Sequence, residues 1–235
     1  MSSSKKCTRC NNGKNVDHLA TKCQKLLHLE YTKRHNEVAK RVHSVLGRQI
    51  GLPKEKIDAH KIESEVHGKY GWIAYDKTVK TQKTKEYNRP DIILADRRRN
   101  TITIVEIGIT NQDNLVDTEK FKKQKYEDLI EDLKARQFNQ HTKIRVIPYV
   151  MTWEGIVTKE HSKYRRDLGI SDRMEAHIQR VVIQETHKIV MRDMKPKEDY
   201  DSVEDPQAQT GWMPAWMAPV TSGNGPAWIP QPVSA

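Results

Sequence analysis

The sequence has no long apolar run and little apolar content overall, and both absences narrow the classes of protein to which it can belong. No stretch approaches the roughly 18 consecutive apolar residues of a membrane-spanning helix, and the N-terminus carries charge without the apolar segment of a signal peptide. Hydrophobic residues make up 36% of the chain, and the mean hydropathy is −0.83. We therefore predict no membrane span, and a core concentrated in part of the chain.

Cysteine is absent after residue 23, which argues against a disulfide framework and for a reducing, intracellular setting. Three cysteines and one histidine precede that point with the spacing C-x2-C-x7-H-x4-C, and they are Cys7, Cys10, His18 and Cys23. Four such side chains typically form a closed tetrahedral zinc site, which stabilises a segment too short to fold alone. We predict a structural zinc knuckle over residues 1–25, with chance clustering as the alternative.

The excess of basic over acidic side chains predicts a polyanionic partner. Lysine and arginine number 41 against 31 for aspartate and glutamate, so the net charge is +10. Clustered cations neutralise phosphates and release the counterions that surround nucleic acids. We therefore expect a nucleic acid as the partner, and the charge alone leaves both DNA and RNA open.

A helix is predicted at about residues 24–48, where valines and a leucine recur at helical spacing. A polar and basic group lies near its middle and consists of Lys33, Arg34, His35 and Asn36. This group is either a nucleic-acid contact or a plain solvated face, and the pattern alone leaves both open. Further along, residues 67–76 have the aromatic and β-branched content of a strand.

Two apolar strands joined by a polar turn are predicted in the stretch RPDIILADRRRNTITIVEIGIT. Proline is tolerated at the first position of a strand, so Pro90 indicates that the first strand begins at Asp91. A turn centred between Arg98 and Arg99 sets the antiparallel register. In that register Asp91 faces Glu106 across the hairpin.

Two acids that face each other on apolar strands require a physical reason. Directly opposed like charges, with Cβ atoms roughly 4.5–5.5 Å apart, destabilise a hairpin. A divalent cation between Asp91 and Glu106 would reverse that penalty, and carboxylate oxygens suit magnesium or manganese. The alternative is an edge hairpin whose acids reach solvent, but the apolar neighbours of both residues favour burial.

The helix predicted at residues 117–137 brings lysines to the same place. In a helical projection, Lys122 and Lys125 fall on the apolar, inward side. A buried ammonium group is costly unless it meets an acid, and Asp91 and Glu106 are the nearest candidates. The alternative is that the long lysine stems pass the edge of the core and reach water.

The rest of the chain completes an α/β (α+β) pattern, which is typical of a mixed β-sheet flanked by helices. A third strand is predicted at 143–153 and helices at 159–168 and 172–193. From 195 to 235 the chain is rich in proline, glycine and tryptophan without periodicity, so we predict a disordered or partner-docked tail. The main domain is accordingly expected at 26–194.

The ordered set of these motifs resembles the restriction-like endonuclease domain, a variant of the PD-(D/E)xK fold, of site-specific non-LTR retrotransposons. The set consists of the Cys-Cys-His-Cys knuckle, KRHN, RPD, an acid in the following strand, and KxxKY at residues 122–126. It runs from about residue 5 to 155. Glycine stands at position 108, two residues after Glu106, where PD-(D/E)xK nucleases usually have lysine, and the variant carries that lysine on the helix.

The resemblance implies a magnesium-dependent nuclease that nicks one strand of a DNA target and frees a 3′-hydroxyl to prime reverse transcription. The residues that match the family's catalytic positions are the metal-binding acids Asp91 and Glu106 and the helix lysines Lys122 and Lys125. KRHN matches the motif associated with DNA engagement, which comprises Lys33, Arg34, His35 and Asn36. The resemblance also implies a nuclear location.

One departure from the family concerns the polymerase. The family's nuclease follows a reverse transcriptase, and no polymerase domain fits in this chain, so the partner would be encoded elsewhere. A fragment, a degenerate copy and a domesticated gene all fit this departure. The alternative function is a catalytically inactive nucleic-acid-binding module that uses the zinc knuckle and the basic helix.

Overall fold

The computed structural model describes residues 6–7, 9–57, 62–81, 86–136 and 141–194. The tail that we predicted at 195–235 lies outside these residues. No helix in this described part is long and apolar enough to cross a membrane.

Six helices and five strands follow the N-terminal segment. Three short helical turns come first, at His18–Lys22, Gln24–Leu26 and Leu27–Tyr31. The helices are α1 (Thr32–Gln49), α2 (Lys54–Ile57), α3 (Leu115–Gln124), α4 (Glu127–Arg136), α5 (His161–Asp167) and α6 (Asp172–Met194). The strands are β1 (Glu65–Gly68), β2 (Gly71–Tyr75), β3 (Ile92–Asp96), β4 (Thr101–Thr110) and β5 (Lys143–Thr152). These counts refer to the described part of the chain.

The five strands form one mixed sheet in the order β1-β2-β3-β4-β5. The first four are antiparallel to their neighbours, whereas β5 lies parallel to β4. A parallel neighbour requires a crossover connection, which α3 and α4 supply. The predicted α+β class, a mixed sheet flanked by helices, is therefore confirmed.

The register of the β3–β4 hairpin is the predicted one. Ile92 pairs with Val105, and the next position outward on each strand is Asp91 and Glu106. The backbone N–H of Asp91 donates to Oε1 of Glu106 at 3.0 Å. The amide of Asp91 thus pairs with a side chain and not with the backbone of β4. Strand β3 therefore begins at Ile92, one residue later than predicted.

Apolar side chains fill both faces of the hairpin, so the sheet has a core on each side. On one face the core contains residues of α1, α5 and α6 together with Ile92, Leu94, Val105 and Ile107. On the other face Ile93, Ala95, Ile102 and Ile104 share a core with Tyr126, Leu129 and Leu133. This double burial explains why both strands are apolar at nearly every position.

Three elements that the periodicity predicts as continuous are each broken in two or more. The breaks fall at residues 24–31, at Lys69–Tyr70 and at Lys125–Tyr126. At the last of these, the Tyr126 side chain is fully buried, and its hydroxyl donates to the carbonyl oxygen of Arg89 at 3.0 Å. The contact fixes the chain just ahead of Asp91.

Ile104 lies at the centre of one core and is fully buried. We expect Ile104→Ala to lower the free energy of unfolding by about 2–5 kcal/mol, because it removes buried methyl groups and leaves a cavity. Urea denaturation measures the change. Ile183, which is 48% exposed on α6, is the matched control, and equal losses at the two positions would contradict the assigned core.

Candidate functional site

The cysteines and the histidine near the N-terminus form one cluster. The ligand atoms of Cys7, Cys10, His18 and Cys23 all lie within 4.8 Å of one another. Sγ of Cys7 and Sγ of Cys23 are 3.9 Å apart. Two sulfurs bonded at about 2.3 Å to one tetrahedral ion would be about 3.8 Å apart. The four side chains can therefore hold a metal ion, as their spacing predicted.

A tight turn brings the first two cysteines of the cluster together. The amide of Cys7 donates to the carbonyl oxygen of Asn12 at 2.7 Å, and the amide of Asn11 donates to that of Cys7 at 2.9 Å. Asn11 has φ +64°, a left-handed conformation that asparagine tolerates better than most residues. His18 begins the next helical turn, where its amide donates to Oδ1 of Asn15. Local sequence thus shapes the cluster.

Arg34 attaches this cluster to the main domain. Its Nη2 donates to the carbonyl oxygen of Ala20 at 2.8 Å, and its Nη1 donates to Oγ1 of Thr186 on α6 at 2.6 Å. The side chain is 2% exposed, and burial lowers the pKa of its guanidinium to about 10. Arg34 was predicted to contact nucleic acid, but here it joins two parts of the protein. A DNA contact by Arg34 would require these hydrogen bonds to break.

The carboxylates of Asp91 and Glu106 lie at one end of the central hairpin and are buried, with 3% and 0% exposure. Oδ2 of Asp91 accepts a hydrogen bond from the amide of Ile107 at 2.8 Å. In return, Oε1 of Glu106 accepts one from the amide of Asp91 at 3.0 Å. Each acid therefore binds the backbone of the opposite strand, which holds both side chains in place.

Lys122 and Lys125 point inward at Glu106. Their Nζ atoms lie 3.1 and 3.2 Å from Oε2 of Glu106, and each residue is 8% exposed. Burial alone would lower the pKa of Lys122, but Glu106 and then Asp91 raise it above its ordinary value. Lys122 therefore stays protonated at neutral pH.

Gly108 makes room for Lys122. A Cβ at this position would lie 3.1 Å from Cε of Lys122 and 3.1 Å from Cγ2 of Val150, which is closer than ordinary van der Waals contact. The residue two places after the acid is therefore a glycine for a steric reason. Its missing side chain opens the path by which a helix lysine reaches Glu106.

His35 contacts the other acid. Its Nε2 lies 3.1 Å from Oδ2 of Asp91, and its Nδ1 lies 3.3 Å from Oδ1 of Asn36. Burial would lower the pKa of the imidazole, but Asp91 outweighs it and raises that pKa. Conversely, burial would raise the pKa of Asp91, but His35, Lys122 and the amide of Ile107 depress it. Both shifts favour a protonated imidazole paired with a carboxylate.

The sequence had grouped His35 and Asn36 with the nucleic-acid contacts. In the structure, the Tyr75 hydroxyl donates to Oδ1 of Asn36 at 3.1 Å, so that residue supports the His35 ring. The sequence did contain a signal that His35 is buried. His35 lies three and seven residues before Val38 and Val42, which places it on the inward stripe of α1. Of the group, Lys33 is exposed and open to a ligand.

The charges in this cluster, defined as His35, Asp91, Glu106, Lys122 and Lys125, largely balance one another. We had expected a divalent cation to be what makes two opposed acids tolerable. Two buried ammonium groups and an imidazole already offset the two carboxylates, so the folded state does not need an ion for this purpose. Among the described residues, none donates a hydrogen bond to Oδ1 of Asp91, whereas Oδ2 accepts two.

The chain matches no protein-family model. No curated protein matches it either.

Removal of Glu106 tests this arrangement of charges. We expect Glu106→Ala to lower the free energy of unfolding by about 3–5 kcal/mol, because two buried ammonium groups lose their acid. Adding Lys122→Met and Lys125→Met should recover part of the loss, since no unpaired charge then remains. Chemical denaturation measures all three proteins.

The control is Glu127→Ala, which removes an exposed acid two residues after Lys125 and should change the stability little. Contradiction would come from a Glu106→Ala protein as stable as wild type, or from a triple variant less stable than Glu106→Ala.

Proposed function

We propose that the protein is a magnesium- or manganese-dependent DNA endonuclease of the restriction-like, PD-(D/E)xK type, which nicks its target. The observation that carries the proposal is the meeting of Asp91, Glu106, Lys122 and Lys125 at one end of the central hairpin. Two acids and a lysine brought together in this way can hold a divalent ion and stabilise negative charge, which suits metal-assisted phosphodiester hydrolysis. The motif order and the net charge of +10 support DNA as the substrate.

Asp91 and Glu106 are the residues that would hold the divalent ion. Both offer hard carboxylate oxygens, which magnesium and manganese prefer, and Oδ1 of Asp91 is the oxygen without a hydrogen bond from the described residues. Bound there, the ion would lower the pKa of a water molecule and offset charge on the scissile phosphate. The short backbone contacts of both acids favour a fixed rather than a mobile ligand pair.

Lys122 and Lys125 supply positive charge to the reaction. The pKa of Lys122 lies above its ordinary value, so this side chain acts as a cation and not as a general base. Both ammonium groups now contact the same oxygen of Glu106. A substrate phosphate would compete with Glu106 for one of them, and that ammonium would stabilise the attacking oxygen or the pentacovalent phosphorus.

His35 acts as a positioning residue for Asp91. The hydrogen bonds run from Tyr75 to Asn36 and, through His35, to Oδ2 of Asp91. Such outer contacts fix the direction of a metal-binding carboxylate. Within the polar group on α1, the buried His35 and its neighbour Asn36 therefore position Asp91. Lys33 is exposed and would contact the DNA backbone.

Structural zinc is the proposed ion of the N-terminal cluster. Three cysteine sulfurs and one histidine nitrogen make a closed set of four soft and borderline ligands, which suits zinc and leaves no open position for chemistry. A knuckle of this kind contacts nucleic acid or supports the domain behind it. The hydrogen bonds of Arg34 favour support of the domain.

The resemblance extends the proposal to a biological setting. A nick made by this nuclease would leave a 3′-hydroxyl that primes reverse transcription by a polymerase encoded elsewhere. The reaction would take place in the nucleus.

A second candidate function is nucleic-acid binding without cleavage. One observation favours it, because the protein's own cations already pair with both acids, and all five residues of the cluster are 8% exposed or less. A site that stays closed in this way would be a buried ionic network that stabilises the fold. The knuckle and Lys33 would then carry the affinity.

A plasmid nicking assay tests the enzymatic proposal. With magnesium present, we expect the wild type to convert supercoiled plasmid to the open circle, and Asp91→Ala to be slower by on the order of 100-fold or more. Magnesium omitted from the wild-type reaction should have a similar effect, because the acids act through the ion. Thermal unfolding of each variant checks that it is folded.

The matched control for Asp91→Ala is Asp113→Ala, which removes an exposed aspartate and should leave nicking unchanged. Nicking that Asp91→Ala does not slow would exclude the catalytic assignment. DNA binding by the wild type without any cleavage would support the second candidate.

Metal content and a chelator test the knuckle. We expect about one zinc per chain in the wild type and less in Cys23→Ser, because a tetrahedral site needs all four ligands. A chelator should lower the Tm of the wild type more than that of Cys23→Ser, since metal binding contributes folding free energy. A wild type that holds no zinc, or a Tm indifferent to the chelator, would contradict the assignment.

A further inference from the structure

Six exposed cationic residues lie around the turn end of the β3–β4 hairpin, opposite to the end that holds the acids. We call this group the hairpin-end patch, and it consists of Arg48, Lys69, Arg97, Arg98, Arg99 and Lys143. Three of them are consecutive in one turn. None of the six belongs to the cluster around Asp91 and Glu106 or to the zinc knuckle.

The turn that carries the three arginines is held in one conformation by Asp96. This carboxylate is 1% exposed, and its Oδ1 accepts hydrogen bonds from the amides of Arg98 and Arg99 at 2.9 and 3.4 Å. The amide of Arg97 donates to the carbonyl oxygen of Tyr70 at 2.8 Å. The arginines are therefore presented by a fixed backbone, which lowers the entropic cost of binding.

Neighbouring elements bring the other cations to the same end. The guanidinium of Arg98 lies 4.1 Å from the centre of the Tyr70 ring, and Nζ of Lys69 lies 5.1 Å from it. Arg98 also donates to the carbonyl oxygen of Gln49 at 2.6 Å, next to Arg48. On the far side, the amide of Lys143 donates to the carbonyl oxygen of Asn100 at 3.1 Å.

The patch carries far more positive than negative charge. In the described part of the chain, the ion pairs of the patch are those of Arg98 and Arg99 with the buried Asp96. Among the described residues, no acid forms a salt bridge with any of the remaining four cations of the patch. Clustered like charges repel one another, and a partner with several regularly spaced anions would relieve that repulsion.

We propose that the hairpin-end patch binds the phosphate backbone of duplex DNA, at a distance from the strand that is cut. Arg97 lies six residues after Asp91, which corresponds to about 20 Å along an extended strand, so the patch contacts phosphates remote from the scissile one. The anionic character of the partner follows from the patch itself. The choice of duplex DNA rests on the proposed nuclease function.

Neutralising two patch residues tests the proposal. Arg97 and Lys143 are suitable because their side chains form no hydrogen bond or ion pair with the described residues, so Arg97→Gln with Lys143→Gln should leave the fold intact. Fluorescence anisotropy of a labelled duplex, without added magnesium, gives the Kd of the full-length protein. We expect the Kd to rise roughly tenfold and the slope of log Kobs against log salt to become shallower by about 2.

The matched control is Lys159→Gln with Lys163→Gln, which removes the same charge from two exposed positions outside the patch. The control should keep the wild-type Kd and salt slope. An unchanged Kd for the patch variant, or an equal loss in the control, would overturn the proposal, since overall charge would then explain the binding.

The nicking assay separates this proposal from the proposed function. If the nuclease is active, the patch variant should raise the KM for DNA and leave kcat at saturating DNA unchanged, because its side chains do not touch the reacting phosphate. A fall in kcat with an unchanged KM would overturn the proposal. A protein that cuts no DNA, yet loses affinity through the patch, would disprove the nuclease alone.

Discussion

The structure depends on one fully buried carboxylate, that of Glu106. A buried charge is stable only when it is paired and hydrogen-bonded, and Glu106 receives hydrogen bonds from Lys122, Lys125 and the amide of Asp91. These contacts join β3, β4 and the end of α3 at a single point. Gly108 leaves room for Lys122 beside this acid, and α3 turns Lys122 inward to contact it.

The hairpin, the inward lysines and the metal cluster could be predicted from sequence because each depends on local spacing. Turn geometry sets which residues of β3 and β4 face each other, and helical periodicity sets the direction of Lys122 and Lys125. The roles of Arg34 and His35 could not be predicted in this way. Their partners, Thr186 and Asp91, are 152 and 56 residues away in the chain, and only the tertiary fold brings them close.

The cluster of His35, Asp91, Glu106, Lys122 and Lys125 is compatible with a nuclease and with a nucleic-acid-binding module. Which of the two it is depends on whether a metal ion can replace the lysines at Glu106. In a nuclease, the metal ion must bind Glu106, and at least one of Lys122 and Lys125 must leave Glu106 and contact the phosphate. A binding module would keep these pairs closed, because separated buried charges are costly. The contact between His35 and Asp91 favours the enzyme. His35 holds Oδ2 of Asp91, whereas no described residue donates a hydrogen bond to Oδ1.

Manganese soaked into crystals of the protein tests the central claim most directly, because its anomalous scattering locates the ion without reference to activity. The account predicts a peak about 2.1 Å from carboxylate oxygens of both Asp91 and Glu106, with at least one lysine displaced from Glu106. No peak at these acids, with both lysine contacts intact at a manganese concentration that fills other sites, would contradict it.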